Sequence, residues 1–274
     1  MRALILLLLG LAACDMLPPR HAAVDPQSLP PLSGREQALL TTAQANAQKG
    51  DVTQAEKNYL SAVSASEGHV EAHLALAELY LAQQKPDKAR AILLRALEFQ
   101  PNHVAVNYQL GKLYLQANEP RLAIDAFSRG LVTQPQSLDL LSARGIAHDM
   151  LHQHSAAQRD YMQAMARNPN DDLSLVRTNL AMSYLLDNQP QKTVDLLKPV
   201  IDQPGVSVVT RHNLALAYSM LGRHTEAKKL LGNEMTEDER QASLTRLQRY
   251  IRGDAPPSAP FGPAAAPDLI KKVP

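Results

Sequence analysis

An all-α fold, a right-handed superhelical solenoid of about six helix-turn-helix repeats with a C-terminal capping helix, is the class this sequence predicts. Three observations predict it. Three segments, beginning at Val70, Val104 and Leu138, align without a gap at a spacing of 34 residues, and a fixed period of that size marks stacked supersecondary units. Within each segment the apolar residues recur at helical rather than strand spacing. The composition is 45% apolar but only 4% aromatic, with no Trp, which favours helices packed through small and aliphatic side chains.

Taken from the N-terminus, residues 1–13 read as a signal peptide. Arg2 supplies a positive start and Ala3 to Ala13 an apolar run of eleven residues, too short for the roughly 20 residues of a spanning helix. Leu11-Ala12-Ala13-Cys14 resembles the bacterial lipobox, in which small residues admit the peptide to the signal peptidase and the cysteine thiol carries a glycerolipid. Cys14 is the only cysteine, so it has no partner for an internal disulfide. The resemblance implies lipidation at Cys14, palmitate included, and acyl chains of that kind hold a protein on a membrane. Cleavage after Ala13 removes Arg2 and leaves 27 basic against 27 acidic residues. Residues 14–35 then form a tether, because Pro18, Pro19, Pro26, Pro30 and Pro31 disfavour helix. At about 3 Å per residue its reach is about 60 Å.

The expected repeat domain covers 36–251, with units near 36–69, 70–103, 104–137, 138–173, 174–207 and 208–241. Counting from each unit's first residue, Leu76, Ala77, Tyr80, Ala89, Leu93, Ala96 and Pro101 occupy positions 7, 8, 11, 20, 24, 27 and 32. Leu110, Gly111, Tyr114, Ala123, Phe127, Gly130 and Pro135 repeat the pattern in the next unit, and Gly145, Ala157, Tyr161, Ala164 and Pro169 in the one after. Fainter copies carry Ala43, Ala55, Tyr59 and Ala62; Leu180, Ala181, Tyr184 and Leu197; and Leu214, Ala215, Tyr218, Ala227 and Leu231. This pattern is similar to the tetratricopeptide (TPR) repeat. Small residues at 8 and 20 let helices A and B approach, larger ones at 7, 11 and 24 fill the space, and proline at 32 stops helix B. Pro86, Pro120 and Pro190 suit the first turn of helix B, where a missing N–H costs little.

Capping boxes are expected at both ends, Ser33 with Glu36 and Thr236 with Glu239. The second opens a segment, 237–251, whose Leu244, Leu247 and Ile251 share one helical face and should cover the last unit. The Pro/Ala-rich residues 252–274 are expected to be disordered.

The 28 Lys+Arg and 27 Asp+Glu nearly cancel, which argues against a nucleic-acid binder. P-loop, dinucleotide, nucleophile-elbow and HExxH motifs are absent, so neither enzymatic activity nor a cofactor, metal or small-molecule substrate is expected. His148, His152 and His154 come nearest to a metal set, but position 11 points into the helix pair while the other two sit in the turn. The carboxylate-clamp form of the repeat wants Lys at position 5 and Asn at 9. This chain has Leu40, Leu74, Tyr108, Ser142, Thr178 and His212 at 5, with Gln44, Glu78, Lys112, Ile146, Met182 and Leu216 at 9. The expected groove is therefore a mainly apolar trough for a helix or extended peptide, lined by Leu74, Tyr108, Lys112, Ile146, Asp149, Met182, His212 and Leu216. Arg177 and Arg211 at position 4, with Asn179 and Asn213 at 6, are read either as a polar recognition stripe or as ordinary repeat residues.

The pieces "VRTNLAMSYLL" and "TRHNLALAYSML", followed by "MTEDERQASLTRLQRYI", resemble the TadD family of tight-adherence (Flp) pilus assembly lipoproteins. That resemblance implies a lipid-anchored, periplasm-facing scaffold whose partners are envelope proteins, an outer-membrane secretin or another pilus component among them. A type IV pilus pilotin, or an adaptor of cell-wall enzymes or an envelope protease, would use the same parts. Asp15 resembles the inner-membrane retention signal of enterobacterial lipoproteins, whereas the family works at the outer membrane, which is the expected address.

Overall fold

The computed structural model describes residues 32–65, 69–167 and 172–231, together with isolated positions between 236 and 252. Cys14, most of the expected tether, Pro169, the apolar positions Leu244, Leu247 and Ile251, and the C-terminal tail lie outside the described residues. Among the described residues, twelve α-helices form six consecutive A/B pairs: α1 (Gly34–Gln48) with α2 (Val52–Ala65), α3 (Glu71–Ala82) with α4 (Pro86–Phe99), and α5 (Val104–Gln116) with α6 (Pro120–Thr133). They continue as α7 (Leu138–Met150) with α8 (His154–Arg167), α9 (Ser174–Leu186) with α10 (Pro190–Leu197), and α11 (Val208–Met220) with α12 (His224–Leu231). Among the described residues there is no strand.

Several helices begin for a local reason. The Ser33 Oγ accepts from the Glu36 N–H at 3.2 Å and the Glu36 carboxylate accepts from the Ser33 N–H at 3.0 Å. That reciprocal cap starts α1 at Gly34, two residues before the expected start of the domain. Thr236 and Glu239 make the same pair of bonds, at 2.7 and 3.2 Å, and the described positions 238, 239, 241, 242, 245 and 249 are helical. Pro86, Pro120 and Pro190 open α4, α6 and α10.

The turn between helices A and B is the same in all six units. Position 15 is left-handed throughout: Gly50, Gln84, Asn118, His152, Asn188 and Gly222 have φ between +54° and +78°. The next N–H reaches back to the carbonyl of position 11, as from Lys85 to Tyr80 at 2.9 Å and from Glu119 to Tyr114 at 2.8 Å, while position 15 donates to position 12. This Schellman arrangement satisfies the last carbonyls of helix A.

Packing within a pair turns on positions 8 and 24. A Cβ built on Gly111 would lie 2.2 Å from the Phe127 ring, and one on Gly145 would lie 2.6 Å from the Tyr161 ring. Glycine at 8 is the space an aromatic at 24 needs. The second, fifth and sixth units pair Ala with Leu at the same positions, whereas the first, with Ala43 and Tyr59, departs from this exchange. Phe127, Leu93 and Leu197 are fully enclosed, and one buried cluster runs from Leu40 to Tyr184, with a second from Ala181 to Leu231.

From the third unit onward, helices A of successive units also touch one another, α5 with α7, α7 with α9 and α9 with α11, and no pair of successive B helices touches to a comparable extent among the described residues. A stack whose A helices converge while its B helices diverge curves toward the A side. The groove is therefore floored by the A helices.

Candidate functional site

On the A-helix face, positions 5 and 9 of the middle units keep side chains that are partly covered and partly offered to solvent. Leu74, Tyr108 and Ile146 rest on the main core cluster and Met182 on the second, and all four are half-buried. Tyr108 is the centre of this strip. Its ring lies 6.2 Å from that of Phe127, and Lys112 Nζ stands 4.9 Å above it, within cation–π range. Burial, helped by Asp139, pushes the Tyr108 phenol up to about 12, so it stays a neutral donor. Burial lowers the Lys112 ammonium, while Glu78 and Asp139 act in the opposite sense. Those influences place charges from α3, α5 and α7 in one field.

Two residues of the expected groove are drawn inward. Leu216 is only 6% exposed and belongs to the second core cluster, because α11 lies closely against α9 and α10. Asp149 is enclosed: its carboxylate accepts from Ser183 Oγ at 2.7 Å and Tyr161 OH at 3.2 Å, and it shares a 2.7 Å bond with His154 Nδ1. Burial raises the Asp149 pKa and these hydrogen bonds offset part of the rise. The residue ties α7, α8 and α9 together and does not line the groove. His212 stays half-buried on the face.

The polar-stripe reading fails for its asparagines. Asn213 is buried and donates to the Thr178 carbonyl at 3.3 Å, stitching α11 to α9, and Asn179 is only 9% exposed. Arg211 uses Nη1 to hold the Val206 carbonyl at 3.0 Å, and Arg177 is half-buried on α9.

The three histidines have different surroundings, although the His152 and His154 rings meet edge-on at 5.9 Å. His148 bonds Gln153 through Nδ1 at 2.7 Å, His154 is buried against Asp149, and His152 is the exposed left-handed turn residue. Among the described residues no group of three or more His, Cys, Asp or Glu side chains could hold a metal ion. None of the described helices is long and apolar enough to cross a membrane.

Position 2 of helix A was missed in the sequence, although it shares the helical stripe of positions 5, 9 and 12. It supplies exposed Glu71, Asp139, Leu175 and Val209.

A model of the tetratricopeptide repeat family matches residues 46–106. Among solved structures, a tetratricopeptide repeat protein from Parabacteroides merdae superposes with a TM-score of 0.63 at 19% identity, over 87% of this chain and 91% of that one. The fold is a TPR solenoid. A MamA protein superposes with a TM-score of 0.54 at 17% identity, over 71% of this chain and 96% of its own. MamA from Desulfovibrio magneticus gives 0.54 at 14% identity, over 62% of this chain and 94% of its own. No curated protein matches significantly. At these identities the likeness is one of TPR architecture.

Proposed function

We propose that this protein is a non-enzymatic, lipid-anchored TPR scaffold that binds protein partners along its A-helix groove in the bacterial envelope. The observation that carries the binding role is the strip of half-exposed apolar side chains at Leu74, Tyr108, Ile146 and Met182 on consecutive A helices. A solenoid that leaves such a strip uncovered presents an extended surface suited to a helix or extended peptide. The anchor is read from Leu11-Ala12-Ala13-Cys14, and a lipidated Cys14 followed by a Pro-rich tether would hold the solenoid facing the periplasm.

The resemblance of residues 174–251 to TadD lipoproteins extends the proposal to assembly of an outer-membrane secretin in a tight-adherence or related secretion system. Deleting the gene tests this: secretin multimers should fail to reach the outer membrane, and normal multimers with normal adhesion would refute the assignment. Replacing Tyr108 and Met182 together by Ala should abolish partner capture in the envelope while the protein stays folded; unchanged capture would remove the groove from the mechanism. Cys14→Ser should release the protein from the membrane fraction, and continued fractionation with membranes would mean that lipid is not the anchor.

A further inference from the structure

Position 34, just ahead of the next helix A, is histidine in the first two units and serine in the third and fifth. Ser137 Oγ accepts from the Leu140 N–H at 3.4 Å and Ser207 Oγ from the Thr210 N–H at 3.1 Å, and a hydroxyl does so whatever the pH. The cap of α5 is instead His103, whose Nδ1 accepts from the Val106 N–H at 3.4 Å. An imidazole nitrogen accepts only while the ring is neutral and its proton sits on the other nitrogen. One unit earlier His69 holds position 34, and the helix that follows it, α3, buries His73 completely. Neither ring nitrogen of His73 has a hydrogen-bond partner at ordinary length. Burial, then Arg95 on α4, brings its pKa to about 4, while the His69 backbone and Glu71 act in the opposite sense. Burial also lowers the His103 pKa, against the pull of Glu71.

We infer that the seam between the second and third units is an acid-sensitive joint, in which proton uptake at His103 and His73 breaks the cap of α5 and loosens the groove between Leu74 and Tyr108. Protonation turns His103 Nδ1 from acceptor to donor, facing the Val106 N–H, and sets a positive charge at the positive end of α5. A charge on His73 would be buried without a partner. Glu71, the carboxylate that acts on both rings, already lies 3.8 Å from His69 Nδ1. Arg95 repels either charge, and α5 and α6 add only the neutral Tyr108 phenol and Arg129, which donates to Asn107 Oδ1 at 3.1 Å. On the groove side little else closes this seam, because α3 and α5 lack contact comparable to that between the later A helices. Leu74 follows His73 directly, and Tyr108 lies on the second turn of α5. The sign follows from the lowered pKa values: the joint is closed above about pH 6.5, the unfolded value, and opens as pH falls below it.

The test uses the full chain and two measurements. Nitrogen-15 spectra of the histidine rings at pH 7.5 should show His103 with its proton on Nε2, and titration should give a midpoint below 6.5. Amide exchange, corrected for its intrinsic pH dependence, should show the protection of α5 falling at least about tenfold between pH 7.5 and pH 5, while α11, capped by Ser207, changes far less. His103→Ser supplies a cap that does not titrate, so it should keep α5 protected at pH 7.5 and remove most of the fall; adding His73→Leu should remove the rest. A proton on Nδ1 at pH 7.5, a midpoint at or above 6.5, equal losses in α5 and α11, or a double variant whose α5 still loosens in acid would overturn the inference. The ring spectra of the wild-type protein decide it even where a variant fails to fold. No partner enters either measurement, so the joint and the scaffold reading stand or fall separately.

Discussion

The glycine at position 8 is a packing requirement, and Gly111→Ala measures it. The new Cβ would lie 2.2, 2.5 and 2.6 Å from three ring carbons of Phe127. Carbon atoms rest against one another at about 3.5–4.0 Å, so ring or helix must withdraw by more than about 1 Å. Phe127 has no exposed surface to swing toward, and Tyr108 packs beside it. Overpacking of this kind costs about 1–3 kcal/mol, while alanine in a helix interior gains about 1 kcal/mol over glycine. With the overlap this large the upper part of the range applies, and the net loss should be about 2 kcal/mol. Phe127→Leu alone leaves a void and should cost about 1–2 kcal/mol. The double variant recreates the Ala77 and Leu93 pairing of the preceding unit and should recover most of the Gly111→Ala loss, a coupling of about 2 kcal/mol. Urea denaturation followed by circular dichroism measures this, with hydrogen exchange in α5 and α6 because a solenoid need not unfold as one unit. Gly34→Ala is the control, since its added Cβ meets nothing within 4 Å. A Gly111→Ala protein as stable as the wild type, or losses that simply add in the double variant, would refute the reasoning.

Three further outcomes follow from the geometry. Gln84 holds φ at +58° on an exposed turn, so Gln84→Gly should stabilise by about 0.5–1 kcal/mol, read as a higher urea midpoint. His73 is fully buried, and burial, with Arg95 next, lowers its pKa from 6.5 to about 4. Between those values the unfolded chain binds a proton that the folded chain refuses. This contribution is therefore complete above pH 6.5 and falls away as pH drops toward 4, by about 3 kcal/mol in all; His73→Leu should flatten that part of the stability profile measured between pH 7.5 and 4.5. Arg144 grips buried Asp160 through two bonds of 2.8 and 2.7 Å. Arg144→Ala should cost about 3 kcal/mol by stranding the carboxylate, whereas Arg144→Met with Asp160→Leu should restore most of the denaturation midpoint.

Much of the architecture is legible in local sequence. The period, the small residues at 8 and 20 and the prolines opening α4, α6 and α10 are short-range signals, and each helix obeys them where they stand. The left-handed turn at position 15 was also written there, in Gly50, Asn118, Asn188 and Gly222, but Gln84 and His152 break the residue pattern although their backbones adopt the same conformation. Sequence spacing assigns a residue to a face of its own helix and no further. Whether that face stays open depends on how closely the next unit approaches. Leu216 and Ile146 share position 9, yet the packing of α11 against α9 and α10 encloses Leu216 in the second core while Ile146 remains half-exposed. Asp149 and Asn213 were drawn inward because neighbouring helices supplied hydrogen-bond partners from Ser183, Tyr161, His154 and the Thr178 backbone. The sequence by itself therefore determined the repeat, its helices and its turns, which arise from contacts a few residues apart. Only the tertiary structure decided which side chains the groove retains, because that depends on burial between helices far apart in the chain.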